Sequence, residues 1–547
     1  MAPRAAGDVT APSGPVLAVD DLTVGYQTGH GTRTAVRNIS FALEPGQVLA
    51  LVGESGSGKS TIGHAILGLL PGNGRLLGGS VRYRGQTISD LPGGRLRELR
   101  GRAISLIPQD PTVSLDPVRR VGPQVEDVLR LHTSLDTGAR RKKVHELFEL
   151  VGFHDVERRY RQFPHELSGG MRQRVLIAAA VAAEPEVIVA DEPTSGLDAT
   201  VQAQVLDLID DLRRRSGTSV VLITHDLGVA ADRSDLVGVL RDGRLAELAP
   251  TAAFVHNPRD EYSRHLLANV PARLNFTTDR ARRAPVTDPE PAVEVTNLSK
   301  RYGGHAAVDD ISFTVERGRT FSIVGESGSG KSTTARVLTG LTQATAGRVS
   351  LLGTEVGTLS TTAFRPLRRD VQIVFQNPYA SFDPRFDVFS VVEEPLRSFQ
   401  RARSPRRRQD NRDRVVAALE AASLPASFLH RHPRELSGGQ RQRVAIARAL
   451  VLEPKVVVLD EPISALDVSV QAQILELLVG LQRELGLTYV FISHDLAVVR
   501  AISDRVAVMR HGRIVEQGEI AQVFERPASP YTAQLLGAIA GRRLATR

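Results

Sequence analysis

The sequence contains no cysteine among its 547 residues. This absence excludes disulfide bonds, zinc sites built on thiolates and cysteine-ligated iron–sulfur clusters, because all of these need cysteine sulfur. Long apolar runs are also missing. The longest run, residues 175–183, has nine residues, whereas a membrane-spanning helix needs about 20. The first residues lack the apolar stretch of a secretory signal, so we expect the chain to stay in the cytoplasm.

Lysine is scarce, although the formal net charge is +8. It occurs only at positions 59, 142, 143, 300, 331 and 455, so arginine supplies nearly all the positive charge. A basic surface attracts nucleic acid and anionic lipid. An arginine bias is also what a GC-rich genome produces without selection for binding. We favour that compositional explanation and expect no nucleic-acid partner.

One nine-residue segment, Gly-Glu-Ser-Gly-Ser-Gly-Lys-Ser-Thr, occurs twice, at residues 53–61 and 325–333. Both copies fit Gly-x-x-x-x-Gly-Lys-Ser/Thr, the loop whose backbone N–H groups and lysine hold the phosphates of a nucleoside triphosphate. Further motifs repeat at nearly constant spacing: Lys59 and Lys331 are 272 positions apart, Gln109 and Gln376 267, and His225 and His494 269. We predict two homologous domains, residues 16–270 and 293–547, with a loose tail at 1–15 and a proline-rich linker at 271–292.

The order of apolar runs in each half predicts an α/β fold. Residues 47–52 and 320–324 form short apolar runs before the glycine loops, and residues 61–70 and 333–341 suit a helix. Four more runs predict buried strands of a parallel sheet, at 187–190, 220–223, 456–459 and 489–492. Helical spacing at 140–151 and 412–422 predicts a helical subdomain in each half.

The residues after each glycine loop match the needs of a triphosphate with Mg²⁺. Ser60 and Ser332 offer a hydroxyl to the ion, and Asp191 and Asp460 each end an apolar strand from which they would hold it. The neighbouring carboxylates, Glu192 and Glu461, are placed to orient or deprotonate the attacking water. The predicted loop contacts to the nucleotide are Gly53, Ser55, Gly56, Gly58, Lys59, Ser60 and Thr61, and Gly325, Ser327, Gly328, Gly330, Lys331, Ser332 and Thr333.

Leu-Ser-Gly-Gly occurs at residues 167–170 and 436–439, and after one further residue, Met171 or Gln440, each half continues with Arg-Gln-Arg. An isolated Ser-Gly-Gly is typical of an ordinary capped helix. In this position, however, the chain resembles the ATP-binding-cassette (ABC) ATPases over nearly its whole length. Each half carries in order a glutamine loop (Gln109, Gln376), this signature, the Asp-Glu strand, an Asp loop (Asp198, Asp467) and a switch histidine (His225, His494).

The resemblance implies two tandem P-loop NTPase domains, each a RecA-like core with a helical subdomain, that face head to tail with ATP between them. One site would join Lys59, Ser60, Gln109, Asp191, Glu192 and His225 to Ser437, Gly438 and Gly439. The other would join Lys331, Ser332, Gln376, Asp460, Glu461 and His494 to Ser168, Gly169 and Gly170. The glutamines would also serve Mg²⁺, and the histidines would hydrogen-bond the γ-phosphate.

Upstream of each glycine loop, an aromatic ring is expected to stack on adenine. Tyr26 and Tyr302 occupy this position, with a role as core tyrosines as the alternative. Two departures from the family pattern are small: Met171 replaces the usual glutamine that closes the signature, and Ile463 stands where the first half has Thr194. Both carboxylates, Glu192 and Glu461, are present, so we predict two hydrolytically competent sites.

Finer resemblance points to importers. Residues 108–117 and 375–384 resemble the glutamine-loop region of the dipeptide, oligopeptide and nickel importer ATPases, and residues 257–267 and 526–536 resemble their carboxyl-terminal extension. This implies a fusion of two importer ATPase subunits at the cytoplasmic face of the membrane, working with two permease subunits and indirectly with an external solute-binding protein. The missing cysteines exclude the iron–sulfur cluster that some members carry in this extension.

The sequence does not decide whether the transported solute is a peptide, nickel, glutathione or haem. The alternative function is that of a soluble tandem cassette protein acting on ribosomes. Such proteins usually carry a long charged helical linker, whereas residues 271–292 are short and broken by prolines.

Overall fold

The computed structural model describes residues 14–29, 31–274, 276, 290–399, 405–464 and 466–545. The described residues form two compact units. The first holds residues up to Leu197, Val201–Leu267 and the stretch from Ala540; the second holds Asp198–Thr200 and Ala268–Ile539. The predicted tail at 1–15 and linker at 271–292 lie mostly outside the described residues.

Ten strands form two sheets in the first unit. They are β1 Leu17–Thr28, β2 Gly31–Leu43, β3 Val48–Gly53, β4 Gly74–Tyr83, β5 Gln86–Thr87, β6 Ile104–Ile107, β7 Val187–Asp191, β8 Ser219–Ile223, β9 Leu236–Arg241 and β10 Arg244–Pro250. The antiparallel sheet has the order β2-β1-β4-β5, and the six-stranded sheet has the order β10-β9-β3-β8-β7-β6. In the larger sheet β10 is antiparallel to β9 and the other neighbours are parallel.

The helices of the first unit lie between and after its strands along the chain. They are α1 Lys59–Ile66, α2 Gly93–Leu99, α3 Pro111–Ser114, α4 Val121–His132, α5 Thr137–Leu150, α6 Val156–Arg161, α7 Gly169–Val181, α8 Ala199–Ser216, α9 Leu227–Arg233, α10 Thr251–His256 and α11 Glu261–Ala268. Helix α1 shares one core with both sheets, to which it contributes Ile62 and Ile66. A second core joins α4, α5 and α7 to the other face of the large sheet.

The second unit repeats this arrangement. Its strands are β11 Val293–Tyr302, β12 His305–Val315, β13 Thr320–Val324, β14 Ala346–Leu351, β15 Thr354–Glu355, β16 Val371–Val374, β17 Val456–Asp460, β18 Thr488–Ile492, β19 Arg505–Arg510 and β20 Arg513–Glu519. The sheet orders are β12-β11-β14-β15 and β16-β17-β18-β13-β19-β20. The predicted duplication and α/β class are therefore confirmed.

The helices of the second half follow the same order, except that 3-10 turns at Arg365–Arg369 and Ala426–Phe428 stand where the first half has α2 and α6. They are α12 Lys331–Leu338, α13 Pro378–Ser381, α14 Val388–Phe399, α15 Pro405–Ala421, α16 Gly438–Leu450, α17 Val468–Leu485, α18 Leu496–Ile502, α19 Ile520–Glu525 and α20 Pro530–Gly537, and a short α21, Arg542–Ala545, ends the description. Among the described residues, every helix is too short or too polar to cross a membrane.

The predicted strands are found, and each is buried along its length as expected for a parallel sheet covered on both faces. The two helices after the glycine loops are shorter than predicted. They end at Ile66 and Leu338 rather than at residues 70 and 341. Gly68 and Gly340 follow with φ of 60° and 64°, and a left-handed glycine at this position terminates an α-helix.

The small sheets share a repeated irregularity. The register of β1 against β4 shifts between Asp20 and Thr23, and Asp21 there has a φ of 46°. Gly79 on β4 packs against this bulge with a φ of 80°, and a Cβ on Gly79 would lie 2.4 Å from the Asp20 carbonyl oxygen. The second half repeats the contact with Gly347 and Asn297. The bulge therefore requires glycine at this point of the facing strand.

We expect Gly79→Ala to lower the free energy of unfolding by about 2 kcal/mol or more, because the methyl group meets backbone oxygen and φ is positive. Gly78→Ala is the matched control, since a Cβ on Gly78 would have open space within 4 Å. Thermal unfolding of both variants checks this. Equal stability of the two variants would contradict the bulge geometry.

Candidate functional site

Each glycine loop joins the central strand of a large sheet to the helix that follows it. Between β3 and α1, Gly53, Gly56 and Gly58 have φ values of 149°, 80° and 102°. The second loop repeats them at Gly325, Gly328 and Gly330, with 150°, 78° and 106°. Glycine alone adopts such angles without strain. A Cβ on Gly53 would also lie 2.3 Å from the Leu240 carbonyl oxygen of the neighbouring strand.

The lysine of each loop is buried and held by main-chain oxygen. Lys59 Nζ donates to the carbonyl oxygens of Gly53 and Glu54 at 2.8 and 2.9 Å. Lys331 Nζ donates to those of Gly325 and Glu326 at 2.8 and 2.7 Å. Burial lowers the pKa of Lys331. An ammonium group fixed at a helix N-terminus, beside a glycine-rich turn, is a binding site for a phosphate chain.

A serine–aspartate pair lies at the start of each of these helices. Ser60 Oγ donates to Asp191 Oδ1 at 3.0 Å, and Ser332 Oγ donates to Asp460 Oδ1 at 3.1 Å. Both aspartates are buried at the ends of β7 and β17, and burial raises their pKa. Hydroxyl and carboxylate oxygens are the ligands that Mg²⁺ prefers, so these pairs fit the predicted ion.

Glu192 is held from two sides by the predicted glutamine and histidine. Gln109 Nε2 donates to Glu192 Oε2 at 2.9 Å, and His225 Nδ1 lies 3.3 Å from Glu192 Oε1. The hydrogen bond from His225 lowers the pKa of Glu192, and the same bond raises the pKa of His225. The carboxylate is therefore ionised and oriented.

The second half builds the same triad. Gln376 Nε2 donates to Glu461 Oε2 at 2.8 Å, and His494 Nδ1 lies 3.3 Å from the same oxygen. Burial, the largest single cause, would raise the pKa of Glu461, but the bonds from His494 and Gln376 together with the charges of His494 and Lys331 outweigh it, and the net shift is downward. The pKa of His494 is raised by its bond to Glu461.

Both glutamates have an unusual backbone. The φ angles of Glu192 and Glu461 are 45° and 48°, in the left-handed region that a residue with a Cβ seldom adopts. Their N–H groups donate to the carbonyl oxygens of Ile223 and Ile492 at 2.9 Å. This backbone turn, made at the end of a buried strand, directs each carboxylate toward the glutamine and histidine. Strain of this kind is characteristic of functional sites.

The signature serines begin the long helices α7 and α16. Ser168 Oγ accepts from the Met171 N–H and Ser437 Oγ from the Gln440 N–H, both at 3.3 Å. In the second half, Gln440 Oε1 accepts from the Ser437 N–H at 3.0 Å and completes a capping box. Methionine has no oxygen with which to return this bond. The serines are thus helix caps, and their phosphate contacts stay a prediction.

The predicted tyrosines and Asp-loop aspartates make fewer contacts with the other site residues. Tyr26 OH lies 3.0 Å from Thr61 Oγ1, whereas Tyr302 is 46% exposed with Lys300 Nζ 5.0 Å from its ring centre. Thr200 Oγ1 lies 2.8 Å from Asp198 Oδ1. Asp467 directly precedes α17. The adenine-stacking role of the tyrosines stays a prediction.

Sequence reasoning missed a second group of residues beside the glycine loops. Arg241 and Tyr262 pair in the first unit, and Arg510 and Tyr531 pair in the second. Both pairs are 269 positions apart, the same spacing that joins His225 to His494. That constant register was the signal from which they could have been found.

The doubly covered parallel sheet, the glycine loop with its buried lysine and the strand-end carboxylates define a P-loop nucleotide-binding protein, present twice. Comparison with known families agrees. The ABC transporter model matches residues 36–195 and 308–464, and the model of the oligopeptide/dipeptide transporter C-terminal region matches residues 515–543. The chain belongs to the ABC transporter family.

Several proteins are similar to this chain over nearly its whole length. The peptidoglycan transport ATP-binding protein YejF of Agrobacterium fabrum is 43% identical, with 96% of each chain covered. The oligopeptide transport ATP-binding protein OppD of Mycobacterium tuberculosis is 40% identical, over 96% of this chain and 98% of its own. The glutathione import ATP-binding protein GsiA of Escherichia coli K12 is 41% identical, over 96% and 90%.

The left-handed backbone of Glu192 generates a prediction about stability. We expect Glu192→Gly to be more stable than Glu192→Ala by about 1 kcal/mol, because both remove the carboxylate but only glycine relieves the strain. Calorimetric unfolding measures the difference. Glu146, exposed within helix α5, is the control, and there alanine should be the more stable replacement. The same order of stability at both positions would contradict the strain.

Proposed function

We propose that this protein is the ATP-hydrolysing subunit of a membrane importer for peptides or related peptide-containing solutes. The observation that carries the proposal is the convergence, in both halves, of a tethered lysine, a serine–aspartate pair and a glutamate held by glutamine and histidine. The family and the similar proteins support it. The chain acts at the cytoplasmic face with two permease subunits, and a solute-binding protein delivers the solute indirectly.

The triphosphate binds along the glycine loop and the helix N-terminus, with Lys59 or Lys331 neutralising its charge. When bound, Mg²⁺ would draw charge from the phosphates, and Ser60 with Asp191, or Ser332 with Asp460, would hold it. The signature residues 168–170 and 437–439 are further proposed phosphate contacts.

Glu192 and Glu461 orient the attacking water and accept its proton. The left-handed turn fixes the carboxylate, and the amide of Gln109 or Gln376 binds one of its oxygens. A depressed pKa keeps each glutamate ionised and able to accept a hydrogen bond from water. His225 and His494 each lie 3.3 Å from this carboxylate, and their proposed role is to sense the γ-phosphate.

The names of the similar proteins narrow the solute. Peptidoglycan, oligopeptides and glutathione all contain amide-linked amino acids, and these are the substrates that the three proteins are named for. This chemistry favours peptides over nickel and haem. The permeases and binding protein would select the solute.

We expect Glu192→Gln and Glu461→Gln each to lower ATP turnover by about half or more, and the double variant to lower it at least tenfold, while nucleotide binding persists, because the amide cannot accept the proton of water. Phosphate release and equilibrium binding of a fluorescent ATP analogue measure the two quantities. Glu184→Gln is the control, a glutamate with a similar φ of 54° outside the site. One variant with unchanged turnover would show that its half does not hydrolyse ATP.

We expect the tagged protein, solubilised gently from membranes, to co-purify with two multi-spanning proteins. A deletion strain should lose uptake of short peptides, glutathione or peptidoglycan fragments while nickel and haem uptake is retained. Mass spectrometry and radiolabelled uptake check these outcomes. Recovery with ribosomes and unaltered uptake of the whole panel would instead favour the translation-factor alternative.

A further inference from the structure

The extension that follows each large sheet is built around an anchoring glutamate. Glu247 on β10 accepts from the N–H groups of Arg259 and Asp260 at 2.9 and 3.2 Å. Glu516 on β20 accepts from those of Ala528 and Ser529 at 2.8 and 3.0 Å. Two charge-assisted hydrogen bonds, which one carboxylate accepts from successive N–H groups, fix where helix α11 or α20 begins.

A tyrosine of each extension lies against the end of strand β9 or β19. The guanidinium carbon of Arg241 lies 4.9 Å from the ring centre of Tyr262, and that of Arg510 lies 4.6 Å from the ring centre of Tyr531. Each arginine is the last residue of β9 or β19, the strand that pairs in parallel with the strand leading into the glycine loop. The tyrosine of the extension therefore contacts the end of the sheet from which the glycine loop begins.

In the second unit the tyrosine is buried under Arg510. Tyr531 is 5% exposed, and burial together with the nearby Glu326 carboxylate raises its pKa to about 12. The carbonyl oxygen of Glu326 is the one that accepts from Lys331 Nζ at 2.7 Å. Glu326, whose charge acts on Tyr531, therefore also holds the phosphate-binding Lys331.

In the first unit the same elements surround a cavity of about 580 Å³. Its lining includes the glycine-loop residues Glu54, Ser55, Gly56 and Ser57 together with Arg241 and Tyr262. Glu54 is the counterpart of Glu326, and its carbonyl oxygen holds Lys59 Nζ at 2.9 Å. Extension and loop are thus adjacent in both units.

We propose that the extension braces the glycine loop, and that Tyr262 and Tyr531 are positioning residues for nucleotide binding. The Tyr262 ring lies under Arg241 and the Tyr531 ring under Arg510. In this position each ring limits the movement of Glu54 or Glu326. The carbonyl oxygen of that glutamate then stays within hydrogen-bond distance of the loop lysine. The extension thereby increases the affinity for ATP in addition to stabilising the fold. This inference rests on the proposed ATPase function.

The test uses the full chain with Tyr262→Ala, Tyr531→Ala and the matching phenylalanine variants. We expect each alanine variant to weaken binding of a fluorescent ATP analogue about fivefold and to raise the KM for ATP similarly, with kcat within about twofold. Phenylalanine keeps a ring over the guanidinium group, so affinity should stay within about twofold of the parent.

Two controls separate bracing from a general loss of stability. Leu535→Ala removes a buried side chain from the same helix α20, so it should lower the unfolding temperature without changing the KM. Tyr83→Ala removes a tyrosine that bonds Glu186, away from the loop, and should also leave the KM unchanged. A KM that rises as much in Leu535→Ala as in Tyr531→Ala would overturn the proposal.

The parent protein distinguishes failure of this inference from failure of the proposed function. If the parent binds and hydrolyses ATP but the tyrosine variants keep its KM, the brace is overturned and the ATPase function stands. If the parent neither binds nor hydrolyses ATP, both fall.

Discussion

The site depends on burying a lysine ammonium group and satisfying it with main-chain oxygen. A buried charge without partners is strongly destabilising. In both halves the ammonium group bonds to the carbonyl oxygens of the first two loop residues. Those carbonyls point inward only because the loop follows left-handed angles that glycine adopts. The strand before the loop lies between two parallel neighbours, which fixes where the loop begins.

The catalytic carboxylate is positioned by a similar use of the backbone. Glu192 and Glu461 each leave a buried strand with a positive φ, and a hydrogen bond to the next strand stabilises the turn. Fully buried strands supply the packing energy that keeps the strained angle. The sheet core and the chemistry are therefore coupled: the strand that contributes the aspartate also determines the direction of the glutamate.

Much of this was predictable from the sequence because apolar runs, glycine loops and strand-end carboxylates are local signals. The helix ends were not, since apolar residues such as Leu69 and Leu341 continue the pattern beyond Gly68 and Gly340, where the backbone turns left-handed. Nor does chain spacing reveal that Gln109, 83 positions from Glu192, donates a hydrogen bond to it. The family resemblance supplied those residues, and the structure supplied their contacts. The pairing of Arg241 with Tyr262 had no local signal.

Both halves carry the glutamate with its glutamine and histidine, but their signature helices begin differently. Gln440 returns a hydrogen bond to the Ser437 N–H, which locks the first turn of α16. Met171 in the corresponding position has no oxygen to do so, and the Ser168 cap is held by one bond instead of two. A capping bond contributes about 1 kcal/mol, enough to change how firmly a serine is presented. The cassettes therefore differ at these helix starts, and they also differ in the carboxylate oxygen that the histidine approaches, Oε1 of Glu192 in the first half and Oε2 of Glu461 in the second.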